Sequence, residues 1–280
     1  MKRERVDVLT VEQGLFETRE KAKRAIMAGI VYCNEMRLDK PGEKIAVDSV
    51  LTVKGKTLPY VSRGGLKLEK ALKVFDIDIK DKILLDIGSS TGGFTDCALQ
   101  NGAIMSYAVD VGYNQLAWKL RNDDRVVVME RTNFRYVTPS DLNGPMPNFS
   151  SIDVSFISLK LILPVLKTLL VPESDVVALV KPQFEAGREQ VGKKGIIRDP
   201  KIHEQVIQQI IEFSLKTGFN VKNLSFSPIT GGEGNIEFLL HLHWMGEPEE
   251  DHSLGMNKLT ISPNEIVKSA HRELSKKAEE

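Results

Sequence analysis

From residue 83 onward, short apolar segments that suit β-strands alternate with segments that suit helices, and this alternation constrains the fold more than any other feature. The predicted strands span residues 83–86, 105–110, 126–129, 152–156 and 176–180. Strands that alternate with helices favour a mainly parallel sheet with helices on its faces. The run 176–180 is apolar throughout, as expected of a strand covered on both faces. The sequence therefore predicts an α/β domain.

The segment that follows predicts an antiparallel edge to this sheet. A long helix is expected over 202–217, and strands over 221–227 and 236–243 are joined through a glycine-rich turn. Two consecutive strands with such a turn can pair as a hairpin. Ser262 followed by Pro263 is typical of a helix start, so a C-terminal helix is also expected.

Residues 1–57 are predicted to form a separate small α/β module. Its elements are predicted as helices at 5–15 and 18–28, strands at 30–33 and 50–53, and turns at 34–35 and 40–43. Thr18 can cap the second helix and Gly29 can end it. Pro59 disfavours helix at the residue before it, which makes 58–61 a candidate linker. The predicted larger domain is then 62–245, followed by a C-terminal extension at 246–280.

The charge of the chain is unevenly distributed although its formal net charge is zero. Residues 1–67 carry 14 Lys and Arg against 9 Asp and Glu, whereas the remainder carries 24 against 29. A basic region is the better candidate for a nucleic-acid face, and an ordinary solvated basic surface is the alternative. The cations of the predicted second helix are Arg19, Lys21, Lys23 and Arg24.

Several classes of protein are disfavoured by the sequence. The N-terminus has no continuous apolar core of the secretory type, and no apolar run approaches the ~18 residues of a membrane helix. We therefore expect a cytoplasmic protein that does not form pores. Cys33 and Cys97 are not spaced as a metal knuckle or a disulfide framework. His241 and His243 lack an obvious third ligand and are interpreted as an ordinary strand surface, so no metal is predicted.

A glycine-rich turn after the first predicted strand indicates a nucleotide-type cofactor. The stretch Asp86-Ile-Gly-Ser-Ser-Thr-Gly-Gly93 precedes a predicted helix, and glycine lets the backbone approach a ligand closely. Asp110 ends the next strand, where a carboxylate can accept both hydroxyls of a ribose. Asn133, after the third strand, is placed to contact an adenine base. The alternative interpretations are a turn cap for Asp86, a surface acid for Asp110 and an ordinary turn residue for Asn133. The predicted cofactor residues are Asp86, Gly88, Ser89, Ser90, Thr91, Gly92, Gly93, Phe94, Asp110 and Asn133.

Four charged residues, Lys67, Asp153, Lys181 and Glu237, form the predicted catalytic set. Asp153 and Lys181 lie in or beside apolar segments, where a charge is costly unless it is paired or used. A lysine whose pKa is lowered by burial and by a neighbouring cation can act as a base, and the two acids would orient the lysines. Such a set around a nucleotide pocket suits removal of a proton from a ribose hydroxyl. A purely structural ion-pair network is the alternative.

The segment 183–200 is predicted to be a mobile substrate lid. It follows Lys181 directly, lacks apolar periodicity and combines three glycines with four cations. Glycines permit movement, and cations can meet phosphates. An ordinary surface loop is the alternative. Lys193 and Lys194 of this segment, together with Arg63, complete the predicted RNA-binding residues.

The N-terminal module resembles the RNA-binding domain first described in ribosomal protein S-four. The matching stretches are Gly14-Leu-Phe-Glu-Thr-Arg-Glu-Lys-Ala-Lys-Arg-Ala-Ile-Met-Ala-Gly29, residues 31–34 and Lys40-Pro-Gly42. Glu35 replaces the usual glycine of the turn. Residues 60–243 resemble the FtsJ-type (RrmJ-type) methyltransferases, and Lys67, Asp153, Lys181 and Glu237 fall on the catalytic tetrad of that family.

The whole chain resembles the TlyA/hemolysin A family. The strings that carry this resemblance are Tyr60-Val-Ser-Arg-Gly-Gly-Leu-Lys-Leu68, Asp86-Ile-Gly-Ser-Ser-Thr-Gly-Gly-Phe-Thr-Asp96, Asp110-Val-Gly-Tyr-Asn-Gln-Leu116, Asp153-Val-Ser-Phe-Ile-Ser158, Leu179-Val-Lys-Pro-Gln-Phe-Glu185 and Gly234-Asn-Ile-Glu-Phe238. The resemblance implies a Rossmann-like sheet and an S-adenosyl-L-methionine-dependent methyltransferase of ribose 2′-hydroxyls. Its expected partner is ribosomal RNA or a ribosomal subunit, with cytidines of the large and in some members the small subunit as targets.

Three other functions are weighed against this one. The first is a non-enzymatic RNA-binding or ribosome-assembly factor, which an intact tetrad disfavours. The second is a nicotinamide-dependent oxidoreductase, which the lack of the strict dinucleotide glycine pattern disfavours. The third is a membrane-lytic protein, suggested by the hemolysin name alone and disfavoured by the absence of an apolar segment long enough to span a bilayer.

Overall fold

The computed structural model of the protein describes residues 2–54, 58–192, 195–231, 234–246 and 262–279. The chain forms two compact units, Met1–Arg63 and Gly64–Glu280. No helix within the described ranges has the length and apolarity needed to cross a bilayer.

The first unit is a small α/β module, as predicted. Its elements are β1 (Arg3–Arg5), α1 (Val6–Glu12), α2 (Arg19–Met27), β2 (Val31–Cys33), β3 (Met36–Arg37), β4 (Lys44–Ala46) and β5 (Leu51–Val53). Strand β1 pairs with β4, and β2 lies between β3 and β5, all antiparallel. Val6, Leu9, Ile26 and Val31 contribute to one apolar core.

Local signals set most of the boundaries in this unit. Thr18 caps α2 by accepting a hydrogen bond from the Lys21 amide at 3.2 Å, and Gly29 adopts the expected left-handed conformation. The predicted helix over 5–15 is too long, because Arg5 is extended and pairs with Lys44 in the β1–β4 sheet. Glu35, in the turn after β2, also has a positive φ of 69°.

The second unit contains the α/β sheet. Its elements are α3 (Gly64–Phe75), β6 (Ile83–Ile87), α4 (Gly93–Gln100), β7 (Met105–Val109), α5 (Trp118–Arg121), β8 (Val126–Met129), β9 (Phe149–Ile152), α6 (Leu163–Leu166), β10 (Ser174–Val180), α7 (Pro182–Glu185), α8 (Pro200–Lys216), β11 (Asn220–Phe226), β12 (Phe238–Trp244) and α9 (Pro263–Glu279). The strand order is β11-β12-β10-β9-β6-β7-β8. Strands β10, β9, β6, β7 and β8 are parallel neighbours, and β12 is antiparallel to β10 and β11. The α/β class and the edge hairpin are confirmed.

One predicted strand is displaced. The strand expected at 152–156 is Phe149–Ile152, all of it buried. Asp153 follows the strand, and Phe156 has a φ of +64°, which a strand residue does not adopt. Strand β9 therefore ends at Ile152, and Asp153 lies directly beyond it at the edge of the sheet.

Helices cover both faces of the sheet. On β12, Leu240 belongs to the core that also holds Val206 of α8 and Ala270 of α9, whereas the ring of His241 stacks on Phe75 of α3. Successive strand residues point to opposite faces, so α3 lies on the face opposite to α8 and α9. The predicted C-terminal helix is part of this domain's core.

Candidate active site

The topology brings the predicted catalytic residues to one edge of the sheet. Asp153 directly follows β9, and Lys181 directly follows β10. The carboxyl ends of parallel strands meet at one edge, which is where open α/β sheets bind their ligands. Glu237 directly precedes β12, and because β12 is antiparallel with Phe238 opposite Val180, it reaches the same edge.

The four residues form one buried cluster. The Lys67 Nζ lies 3.0 Å from Asp153 Oδ2 and 2.8 Å from Glu237 Oε2. The Lys181 Nζ lies 2.6 Å from Asp153 Oδ1 and donates a hydrogen bond to Ser155 Oγ at 3.0 Å. Lys67, Lys181 and Glu237 are each less than a tenth exposed. Asp153 therefore bridges the two lysines, and Lys67 bridges the two acids.

The two lysines have different electrostatic surroundings. Burial by itself lowers the pKa of Lys67, but the carboxylates of Asp153 and Glu237 outweigh it and raise the pKa above its ordinary value. Burial opposes ionisation of Asp153, but Lys67 and Lys181 lower its pKa below the ordinary range. Lys67 is thus held as a cation between two carboxylates, while Lys181 has one carboxylate and a hydroxyl as partners.

A cavity of about 910 Å³ adjoins this cluster. Its walls come from the ends of β6, β7 and β9 and from the segments that follow β8 and β10. Asp153 and Ser155 belong both to this wall and to the ionic cluster. The cavity therefore borders the ionic cluster through Asp153 and Ser155.

Only some of the predicted cofactor residues line the cavity. Those on its wall are Gly88, Ser90, Asp110 and Asn133, and those not on its wall are Asp86, Ser89, Thr91, Gly92, Gly93 and Phe94. Asp110 accepts the backbone amides of Ser90 and Gly112, each at 2.7 Å. A carboxylate has about four acceptor positions, so it retains capacity for ribose hydroxyls.

The buried side chain of Asp86 stabilises the start of the glycine turn through hydrogen bonds. Its buried carboxylate accepts hydrogen bonds from the Thr95 amide at 3.1 Å, the Thr95 hydroxyl at 2.7 Å and the Ser151 hydroxyl at 2.8 Å. Burial raises its pKa to about 6 against the effect of these donors. The contacts favour the turn-cap interpretation of Asp86, because they tie β6 to α4 and β9.

Gly88 sets the distance between the glycine turn and Asp153. It has a φ of +83°, and a Cβ at this position would lie 2.5 Å from the Asp153 carbonyl oxygen. Gly88→Ala is therefore expected to displace Asp153, to destabilise the domain by more than the ~1–2 kcal/mol of a left-handed alanine and to abolish activity. Urea unfolding and a methyl-transfer assay check this.

Gly102→Ala is the matched control, since Gly102 has a φ of +100° but its nearest neighbour would be at an ordinary 3.4 Å. Equal losses of stability in the two variants, with Gly88→Ala still active, would show that the close approach to Asp153 does not matter.

Aromatic residues of the cavity were missed by the sequence reasoning. Phe134, Phe156 and Phe184 line the wall, and the Phe156 ring is 90% exposed with its centroid 5.0 Å from that of Phe184. A bulky residue with a positive φ is costly and is often found at functional sites. The available signal was position, because Phe156 follows a strand at its carboxyl end.

Glu185 holds the wall that carries Phe156. Its carboxylate accepts hydrogen bonds from Ser158 Oγ at 2.5 Å and from the Leu159 amide at 2.7 Å. Burial raises its pKa despite these donors. The segment after Lys181 is thereby tied to the segment after Asp153.

The predicted lid is described in part. Lys193 and Lys194 lie outside the described residues. Asn235 donates a hydrogen bond to the Gly195 carbonyl at 2.9 Å and accepts one from the Ile197 amide at 3.1 Å. This part of the segment is therefore hydrogen-bonded to the residues that precede β12. The lid remains a prediction.

The predicted RNA-binding cations differ in their contacts. Arg19 pairs with the fully buried Asp7 at 3.0 Å, and Lys21 pairs with Glu17. Lys23 and Arg24 are half-buried rather than fully exposed, and Arg63 is exposed. Arg19 therefore has a structural role in the module.

The two histidines of β12 are not an ordinary strand surface. Asp175 Oδ1 lies 2.8 Å from His241 Nε2 and 3.1 Å from His243 Nδ1. Asp175 raises the pKa of His243, although burial opposes this. No cluster of ligands suited to a metal ion occurs among the described residues.

Comparisons with known proteins agree with this geometry. Residues 60–244 match the model of the FtsJ-like methyltransferases, and residues 4–51 match that of the S4 domain. The chain is 71% identical to YqxC of Bacillus subtilis over 99% of its length and 97% of that protein. It is 41% identical to the 16S/23S rRNA (cytidine-2′-O)-methyltransferase TlyA of Mycobacterium tuberculosis, over 86% of this chain and 90% of TlyA.

A solved structure of a hemolysin-type protein from Streptococcus thermophilus is similar over its whole length. It has a TM-score of 0.77 and 58% identity, and each chain covers 100% of the other. The chain thus matches the FtsJ-like model, has the buried tetrad at the sheet edge, and is similar to TlyA over most of both chains. It belongs to the TlyA/hemolysin A family of FtsJ-like methyltransferases, with an S4 domain in its N-terminal part.

Proposed function

We propose that this protein transfers a methyl group from S-adenosylmethionine to ribose 2′-hydroxyls of ribosomal RNA, with cytidines as the target nucleotides. The observation that carries the proposal is the buried Lys67–Asp153–Lys181–Glu237 cluster at the edge of the cavity. A hydroxyl is a weak nucleophile until a base removes its proton. Membership of the TlyA family supports ribosomal RNA as the substrate.

The cavity suits an adenosine-containing donor. Gly88 and Ser90 provide a close backbone approach, and Asp110 provides a carboxylate for ribose hydroxyls. Asn133 and the buried Phe134 supply a polar and an apolar wall for adenine. When bound, S-adenosylmethionine supplies a methyl group on a positively charged sulfonium.

The chain's own residues prepare the hydroxyl. Lys181 accepts its proton, and Asp153 orients the lysine through the 2.6 Å contact. Lys67 lowers the pKa of Asp153 and so keeps it ionised, and its contacts with Asp153 and Glu237 fix both acids in place. Holding the hydroxyl in line with the methyl group supplies much of the acceleration, because positioning removes entropy from the barrier.

The test of this assignment is calorimetry with S-adenosylmethionine and with NAD. S-adenosylmethionine should bind and NAD should not. Asp110→Ala should weaken donor binding roughly 10- to 100-fold, as expected when hydrogen bonds to a charged group are removed. Tight NAD binding without a response to S-adenosylmethionine would contradict the proposal, and donor binding without methyl transfer to ribosomal subunits would favour a non-enzymatic RNA-binding factor.

The S4 unit is proposed to bind the RNA through its phosphates. Lys23→Glu/Arg24→Glu should weaken binding to ribosomal RNA. It should also make the salt dependence of binding shallower, by about one unit of slope for each phosphate that the variant no longer neutralises. Filter binding over a range of salt concentrations measures both effects.

Arg19→Gln is the control, because Arg19 supports the buried Asp7. It should lower the melting temperature of the module more than the double variant does. An unchanged salt slope in Lys23→Glu/Arg24→Glu would place the RNA-binding surface elsewhere.

A further inference from the structure

Ser155 is a polar residue that both lines the cavity and contacts the proposed base. It lies two residues after Asp153, beyond the carboxyl end of β9, and it is exposed. Its Oγ accepts a hydrogen bond from Lys181 Nζ at 3.0 Å. The same nitrogen lies 2.6 Å from Asp153 Oδ1. One loop therefore supplies two partners of the Lys181 amine.

The geometry of an amine means that these two partners determine the direction of the Lys181 lone pair. A neutral lysine has two N–H groups and one lone pair, directed tetrahedrally around Nζ, and only the lone pair can accept a proton. Within the described part of the chain, Asp153 and Ser155 are the polar partners of this nitrogen. Both can accept a hydrogen bond. When they receive the two N–H groups, the lone pair is left to point in the third direction.

We propose that Ser155 is a positioning residue for methyl transfer, whose hydroxyl acts with the Asp153 carboxylate to fix the rotation of the Lys181 amine so that its lone pair faces the reacting 2′-hydroxyl. This inference rests on the proposed function. In the proton-transfer step the O–H bond of the ribose breaks, its electron pair stays on oxygen, and the proton adds to Nζ. Ser155 keeps its own proton, and the resulting ammonium retains both acceptors.

The loop around Ser155 is held in place. Phe156, the next residue, has a φ of +64° and its ring contacts Phe184, three residues after Lys181. Glu185 binds Ser158 and the Leu159 amide. One ring contact and two hydrogen bonds thus join the segments after β9 and β10, and the serine hydroxyl reaches the lysine from a backbone that these contacts hold in place.

The experiment is steady-state kinetics of Ser155→Ala with ribosomal subunits from a strain that lacks this gene and with radiolabelled S-adenosylmethionine. The kcat should fall roughly tenfold, as one misaligned proton transfer permits, whereas the KM values for both substrates should not change. Ser155→Thr restores a hydroxyl and should recover at least half of the lost rate. Ser140→Ala, at an exposed serine outside the cavity wall, should behave as wild type.

Three results would overturn the inference: a wild-type kcat in Ser155→Ala, an effect confined to KM, or a threonine variant as slow as the alanine variant. Lys181→Met is assayed in parallel to separate this inference from the proposed function. If Lys181→Met is active, the role of Lys181 as base is wrong. If it is inactive while Ser155→Ala is normal, only the role of Ser155 is wrong.

Discussion

Lys181→Met is expected to reduce methyl transfer roughly 10²- to 10⁴-fold while the protein still folds and still binds S-adenosylmethionine. The proposed chemistry needs a base, and general base catalysis typically contributes roughly 10²–10⁴-fold. Folding should be largely preserved, because Asp153 keeps Lys67 as a partner at 3.0 Å when Lys181 is removed. Methionine also fills most of the volume of the lysine stem.

The measurements are single-turnover methyl transfer, donor calorimetry and a melting curve on the same preparation. A variant that transfers methyl groups at the wild-type rate would remove Lys181 from the mechanism. A variant that is unfolded at the assay temperature would instead support the interpretation of the cluster as a structural ion-pair network.

Lys67→Met, unlike Lys181→Met, is expected to destabilise the domain. The loss should be roughly 3–5 kcal/mol, as when one partner of a buried ion pair is removed. Lys67 is 7% exposed and contacts two acids. Its loss leaves Glu237, which is 2% exposed, as a buried charge without its lysine. Lys67→Met/Glu237→Gln removes that charge and should recover much of the stability. Urea unfolding of the two variants measures the difference.

The pH dependence of the stabilisation by Lys67 and Asp153 in the wild-type protein follows from the signs of their pKa shifts. The pKa of Lys67 is raised, so its stabilisation is complete below the ordinary lysine value of about 10.4 and is lost as pH rises through the higher folded value. The pKa of Asp153 is lowered, so its contribution is complete above about 3.9 and is lost on acidification. The stabilisation that Lys67 and Asp153 give the wild-type domain through these shifts should therefore be constant from about pH 5 to pH 9. A double variant less stable than Lys67→Met would contradict this account.

The sequence was sufficient to predict the sheet and the meeting of charged residues at its edge for one physical reason. Apolar runs that alternate with helices specify a parallel sheet, and charges at the ends of such runs must meet at its edge. Asp153 and Lys181 follow directly from this rule. Glu237 directly precedes the second strand of the predicted antiparallel hairpin, and the pairing of that strand with β10 carries it to the same edge.

Other features of the site depend on contacts between distant residues and could not be predicted. The carboxylate of Asp86 turns inward because Thr95 and Ser151 supply donors, and Ser151 lies 65 residues away. The sequence pattern indicated that Arg19 is a surface cation, but its guanidinium forms an ion pair with the buried Asp7. Phe156 is exposed and has a positive φ, and no motif in the sequence indicates either feature.

The central claim is that this protein methylates ribosomal RNA on ribose 2′-hydroxyls with Lys181 as base. The most direct measurement maps 2′-O-methylated nucleotides in ribosomal RNA from cells that lack the gene, complemented with the wild-type gene or with Lys181→Met. We expect at least one cytidine that is methylated with the wild-type gene and unmethylated both in the deletion strain and with the variant. Identical methylation maps in all strains would contradict the claim.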